Sequence, residues 1–191
     1  MALGMIPSIA PGVAIGRPSG STNELTNGGA ETNTTGWVKA GTNTLDRSTE
    51  QAHSGAASFK ATYQDSTTMA QYAITLTAVA YTASGWLYIP TAYDGGAPRL
   101  ERVGFVGATG NTNAEASLAT RDAWQRVVLA DFTPASGDLA GAIQVNVAAG
   151  VPTAGRFIYV DDVQVELGVV ATPYIHTDGA TASRPALRWL A

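Results

Sequence analysis

The segment Gly155-Arg-Phe-Ile-Tyr-Val-Asp-Asp-Val-Gln-Val-Glu-Leu167 constrains the fold more than any other stretch of the chain. Apolar side chains stand at alternate positions, Phe157, Tyr159, Val163, Val165 and Leu167, with Asp161 at one step of that series. The intervening positions are Ile158, Val160, Asp162, Gln164 and Glu166. A period of two over this length predicts a β-strand with one well-buried face. Aspartates inside such a strand are costly unless something bonds them. The segment therefore predicts a sheet, and an ion or a polar network at the acidic pair.

The rest of the chain repeats the signal in shorter pieces. Ala57–Tyr63, Met69–Leu76, Ala80–Ile89, Arg102–Val106, Trp124–Phe132 and Ala142–Val147 read as strands, and about ten are expected in all. Asp94-Gly-Gly-Ala-Pro98, Thr109-Gly-Asn-Thr-Asn113 and Pro134-Ala-Ser-Gly-Asp138 are turn signals between them. No stretch carries a sustained 3.6-residue apolar period with caps. These lengths and spacings are those of an all-β fold, a β-sandwich or barrel, here with irregular N- and C-terminal arms; the jelly-roll form of the sandwich is what the resemblance below implies. Residues 1–22 read as a docking arm and linker, 23–168 as the sandwich and 169–191 as a second arm.

Composition narrows the function classes. The 191 residues include no Cys, which removes disulfides, thiolate metal sites and Cys nucleophiles. Charged residues make up 14% and the net charge is −4, with Lys only at 39 and 60. Without a basic stripe, nucleic acid is not an expected partner. The start, Met1 to Gly16, has no basic region and is broken by Pro7 and Pro11. It reads as neither a signal peptide nor a membrane span, and better as an arm lying on a neighbouring protein.

Five motifs in order carry a resemblance. They are Asn27-Gly-Gly-Ala-Glu31 before Gly36-Trp37, Ala52-His-Ser-Gly-Ala-Ala-Ser-Phe59, Ala83-Ser-Gly-Trp-Leu-Tyr88, Trp124-Gln-Arg-Val127 with Phe132, and Tyr159-Val-Asp-Asp-Val-Gln-Val-Glu166. Together they resemble family 4/9-type carbohydrate-binding modules, whose jelly roll is galactose-binding-like, over roughly residues 23–168. The family's usual aromatic after Gly-Gly is Ala30 here. The tail Gly168-Val-Val-Ala-Thr-Pro-Tyr-Ile-His-Thr-Asp-Gly-Ala-Thr-Ala-Ser-Arg184 resembles the segment that follows such domains in bacteriophage virion proteins, often minor tail proteins.

The resemblance implies a virion structural or accessory protein, a head decoration or minor tail protein, localised to the particle. Its partners would be other virion proteins and further copies of itself. The alternative is an active glycan-binding module that adheres to host surface sugars. The resemblance also implies a structural calcium held by Glu31 and Asp161, with Asp162 as the alternate ligand, since calcium takes hard oxygens. The other reading of these residues has Glu31 capping a turn and Asp161 bonding backbone N–H groups. Trp37, Tyr88 and Tyr93 are the candidates for a glycan face, whereas Trp86 and Trp124, flanked by apolar residues, are expected in the core.

An apolar character at both ends assigns partner docking to Ile6, Ile9, Val13 and Ile15, and to Tyr174, Ile175, Leu187, Arg188, Trp189 and Leu190. Enzymatic activity is not expected. His53 and Ser54 are adjacent, which is the wrong geometry for a nucleophile and its base, so His53 reads as a turn residue. Two His residues do not suffice for a His-based zinc centre, and no spacing singles out a glycosidase pair among 15 acids.

Overall fold

The structure is a computed structural model that describes residues 20–147 and 150–185. Thirteen strands form among the described residues, and no helix does. In chain order they are β1 (Ser21–Asn23), β2 (Trp37–Val38), β3 (Thr44–Ser48), β4 (Ser58–Thr62), β5 (Thr68–Thr75), β6 (Tyr81–Tyr88) and β7 (Pro98–Val103). They continue with β8 (Thr109–Gly110), β9 (Asn113–Glu115), β10 (Trp124–Thr133), β11 (Ala140–Val147), β12 (Phe157–Leu167) and β13 (Ala182–Arg184). Six strands pair in the order β3-β4-β12-β6-β10-β8, five in the order β2-β5-β11-β7-β9, and β1 pairs with β13. All pairings are antiparallel. This is the expected sandwich.

The core lies between the two larger sheets. Phe59, Leu87, Leu129, Phe132, Ile158, Val163 and Val165 from one meet Met69, Leu100, Ile143 and Val145 from the other. Each such side chain contributes about 1.5–3 kcal/mol of hydrophobic stabilisation. β7 starts at Pro98, earlier than the expected Arg102, because Leu100 is one of the core residues. Proline is tolerated there, as the first residue of a strand.

β12 corrects the opening expectation in two ways. It lies between β4 and β6, inside the six-stranded sheet, and nine of its eleven residues are buried, so both faces are covered where one was expected. Its alternation also breaks at the acidic pair. Ile158 and Val160 point into the core before the pair, and Val163 and Val165 do so after it. The register with β6 slips between Asp161 and Gln164, and Asp162 takes φ 51°. A one-residue bulge therefore exchanges the two faces. Phe157, Tyr159, Asp161, Gln164 and Glu166 consequently share the outer face, whereas strict alternation had put Phe157 and Tyr159 together with Val163 and Val165.

The segment after β12 belongs to the sandwich and is not a free arm. Glu166 is fully buried, and its carboxylate accepts hydrogen bonds from Thr172 N and Oγ1, each at 2.7 Å, and from Gln164 Nε2 at 2.6 Å. Ile175 N donates to Gln164 Oε1 at 2.9 Å, and the Ile175 carbonyl accepts from Asn23 Nδ2 at 3.1 Å. The Tyr174 hydroxyl lies over Gly28 and Gly29, and a side chain at Gly28 would collide with it and with the Val163 carbonyl. Tyr174 and Ile175, expected to dock on a partner, instead pack on their own domain, because the buried ends of Gln164 and Glu166 need the tail's polar groups. The other docking candidates, Ile6, Ile9, Val13, Ile15, Leu187, Arg188, Trp189 and Leu190, lie outside the described residues.

Candidate functional site

The outer face of the six-stranded sheet carries a row of side chains in direct cross-strand register. Trp124 on β10 pairs with Tyr88 on β6, Tyr88 with Tyr159 on β12, Tyr159 with Lys60 on β4, and Lys60 with Asp46 on β3. From Trp124 to Lys60 the row crosses three strand spacings, roughly 14 Å. Its rings stand edge to face. Trp124 and Tyr88 lie 5.6 Å apart at 62°, Tyr88 and Tyr159 5.8 Å apart at 76°, and Tyr159 and Phe157 5.5 Å apart at 77°. Trp124, Tyr88 and Phe157 are half-buried, and Tyr159 is buried among them.

Polar groups close the Lys60 end of the row. The Tyr159 hydroxyl donates to Glu50 Oε2 at 2.5 Å, Lys60 Nζ bonds the same oxygen at 2.6 Å, and Nζ stands 4.2 Å from the Phe157 ring centre. Lys60 and Tyr159 together hold the Glu50 carboxyl below its usual range. Burial, and then Glu50, push the Tyr159 hydroxyl up. Burial, and then the charge of Asp122, raise Tyr88.

The next row along the strands is Arg126, Trp86 and Asp161. Here the chain covers itself. His53 stacks on Trp86 with ring centres 3.7 Å apart and planes 15° apart, and it meets Trp124 edge-on at 5.8 Å. Two aspartates hold its turn. Asp161 Oδ2 accepts from His53 N at 2.7 Å and Ser54 N at 3.2 Å, and Asp161 Oδ1 accepts from Asp162 N at 2.8 Å. Asp162 Oδ2 lies 2.6 Å from His53 Nδ1, and Ser54 Oγ donates to Asp162 Oδ1 at 2.6 Å. Glu31 holds the far side of the turn by accepting from Ala56 N at 2.9 Å. Gly55, at φ 63°, leaves room for that carboxylate, which any side chain there would strike. Burial, reinforced by Asp162, pushes the Asp161 carboxyl up to about 7 against the pull of those N–H groups.

This donor set fits a hydrogen-bonded turn better than a calcium cage. The oxygens of Glu31, Asp161 and Asp162 face N–H and O–H donors. Among the described residues no group of three His, Asp or Glu gathers around a common point. His53 and Ser54 both bond Asp162 and not each other, so they form no base–nucleophile pair.

Two glycan candidates sit elsewhere. Trp37 is 7% exposed, donates from Nε1 to the Asn27 carbonyl at 2.7 Å, and packs on Phe59 and Tyr72. Tyr93 is 3% exposed and donates to the Gly96 carbonyl at 2.9 Å. Both belong to the core, so neither offers a ring face to a ligand. Trp86 and Trp124, expected in the core, stand on the outer face. A sequence signal existed: Thr82, Ser84, Trp86 and Tyr88 alternate with Ala83, Gly85 and Leu87, so the tryptophan shares its face with hydroxyls. A pocket of about 410 Å³ lies at the side of the sandwich among Thr34, Trp37, Val38, Lys39, Thr44, Leu45 and Asp46. Its one ring is the buried Trp37.

The sandwich fold is similar to that of solved carbohydrate-binding modules. The CBM22-2 xylan-binding domain of Paenibacillus barcinonensis Xyn10C superposes with a TM-score of 0.57 at 17% identity, covering 77% of this chain and 98% of that one. The C-terminal family 22 carbohydrate-binding module of Clostridium thermocellum Xyn10B gives 0.56 at 16% identity, covering 84% and 99%. TmCBM61, solved in complex with β-1,4-galactotriose, gives 0.56 at 17% identity, covering 76% and 99%. No protein-family profile matches the sequence, and no curated protein matches it.

Proposed function

We propose that this chain is a glycan-binding module whose contact surface is the open row of the six-stranded sheet. Trp124 and Tyr88 stack on sugar rings, and Phe157 and Lys60 mark the far end. The observation that carries the reading is the cross-strand register of Trp124, Tyr88, Tyr159 and Lys60, with half-buried rings on a face that the sandwich does not need for its core. Rings of this kind offer apolar area together with polar edges, which suits a ligand with both apolar faces and hydroxyls. The chemistry is binding without bond breakage.

Support also comes from the ligands of the structural neighbours, xylan and galactotriose. The five motifs speak for the narrower likeness to families 4 and 9. A glycan array, followed by calorimetry with xylan, glucan and galactan fragments, tests the reading. Saturable binding that Trp124→Ala weakens is expected, and no binding to any sugar contradicts it.

A second reading keeps the same domain and places it on a bacteriophage particle as a head or tail accessory, with a host surface glycan as its ligand. The likeness of Gly168–Arg184 to virion-protein tails favours it. Attachment to other virion proteins would then run through the apolar residues of 1–19 and 186–191. Mass spectrometry of purified particles tests this: stoichiometric presence supports it, and absence contradicts it.

A further inference from the structure

His53 is held more firmly than a turn residue needs to be. Its ring lies flat on Trp86, its Nδ1 bonds a carboxylate that is 3% exposed, and its backbone N–H bonds the fully buried Asp161. Yet the side chain is 27% exposed and stands beside Trp124, at the border of the open row. Its Nε2 has no hydrogen-bond partner among the described residues. A carboxylate at Nδ1 fixes a hydrogen on that nitrogen, and in the neutral ring this leaves the lone pair on Nε2.

We infer that His53 is a specificity-determining contact of the glycan face, with Nε2 accepting a hydrogen bond from a hydroxyl of the sugar stacked on Trp124. The inference rests on the glycan-binding reading and adds a polar contact to its stacking rings. Trp86 is then the support for His53 and not itself a sugar platform, because the imidazole already occupies its face. The held ring loses little freedom when a ligand arrives, so its hydrogen bond costs little to order. A sugar without a hydroxyl at that point leaves Nε2 without a partner and is disfavoured.

The Asp162 bond and the free nitrogen can be separated by substitution. In His53→Asn the amide nitrogen takes the place of Nδ1 and keeps a donor for Asp162, while the group at Nε2 is lost. In His53→Gln the amide reaches the Nε2 position instead. Calorimetry with xylohexaose, cellohexaose and β-1,4-galactotriose, alongside thermal melts, reads the difference. For the sugar the wild type binds, His53→Asn is expected to bind about tenfold more weakly, while His53→Gln stays within about threefold. Equal loss in both variants, at any melting temperature, assigns His53 to holding the turn and overturns the inference. So does wild-type affinity in His53→Asn. A wild type that binds none of the three sugars removes the glycan reading, and the inference with it.

Discussion

The outer face of the six-stranded sheet has two halves that differ in kind. Toward the Leu167 end of β12, Ser84, Gln164 and Glu166 lie at or under the tail. The Thr172 carbonyl accepts from Arg126, and Arg184 Nη2 donates to the Tyr174 carbonyl at 3.1 Å, which holds the tail in place. Toward the Phe157 end, Trp124, Tyr88 and Phe157 have no such cover among the described residues. The covered half carries polar side chains because a tail backbone must have its N–H and C=O groups bonded. The open half carries rings, which tolerate water at one face and have few rotatable bonds to order. On the proposed reading, one sheet face serves as architecture at one end and as a contact surface at the other.

The largest effect is expected in the covered half. Glu166→Ala leaves Thr172 N without its partner, and Gln164 Nε2 and Thr172 Oγ1 with only contacts of 3.3–3.4 Å, which costs about 3 kcal/mol. That corresponds to a fall in Tm of roughly 10 °C by calorimetry. A loss below about 1 kcal/mol would mean that the tail does not depend on this carboxylate.

In the open half the order of effects reverses. Trp124→Ala is expected to lower glycan affinity by at least about tenfold while costing about 1–2 kcal/mol of stability. Titration calorimetry and a thermal melt on the same sample check both numbers. A stability loss as large as that of Glu166→Ala, without loss of affinity, would erase the distinction between the halves.

Asp161 stands at the boundary and carries a pH dependence. Its folded pKa, about 7, lies above its usual 3.8, so the folded state holds the proton more tightly. Its contribution is full below about pH 4 and is lost as the pH rises through 7. Glu50, Asp94 and Asp122 are held low and act in the opposite sense, at lower pH. Tm should therefore fall between pH 5 and pH 8, by up to about 1.4 kcal/mol of stability per pH unit, and Asp161→Asn should flatten that slope. An unchanged slope in the variant would assign it to other groups.

The smallest effect is expected from chelation. Because N–H and O–H donors already face Glu31, Asp161 and Asp162, Tm should be the same with and without excess chelator. A rise of several degrees on adding calcium would restore the metal site, since a ligand that binds only the folded state stabilises it.

Much of this fold was legible in the sequence, and the reason it was not all legible is specific. Period two identified β4, β5, β6, β10, β11 and β12 to within a few residues, because each turns an apolar face to the core. The same rule failed across Asp161-Asp162, where a single bulge residue inverts the phase and only tertiary pairing reveals it. It also misjudged Trp86 and Trp124, since flanking apolar residues sit on the opposite face of a strand and say nothing about the tryptophan's own. Trp37 read as a glycan-face candidate, but its Nε1 finds the Asn27 carbonyl and its ring finds Phe59. The tail resembled a free arm because the partners of Tyr174 and Ile175 lie more than a hundred residues away or behind the bulge.

The most direct measurement of the central claim is a ¹H–¹⁵N spectrum of the tryptophan indoles during a sugar titration, with peaks assigned by single Trp→Phe variants. If the open row is the binding surface, the Trp124 resonance moves in a saturable way, Trp86 moves less beneath His53, and Trp37 stays in place. Movement of Trp37 with Trp124 unmoved would put the ligand at the side of the sandwich and contradict the account.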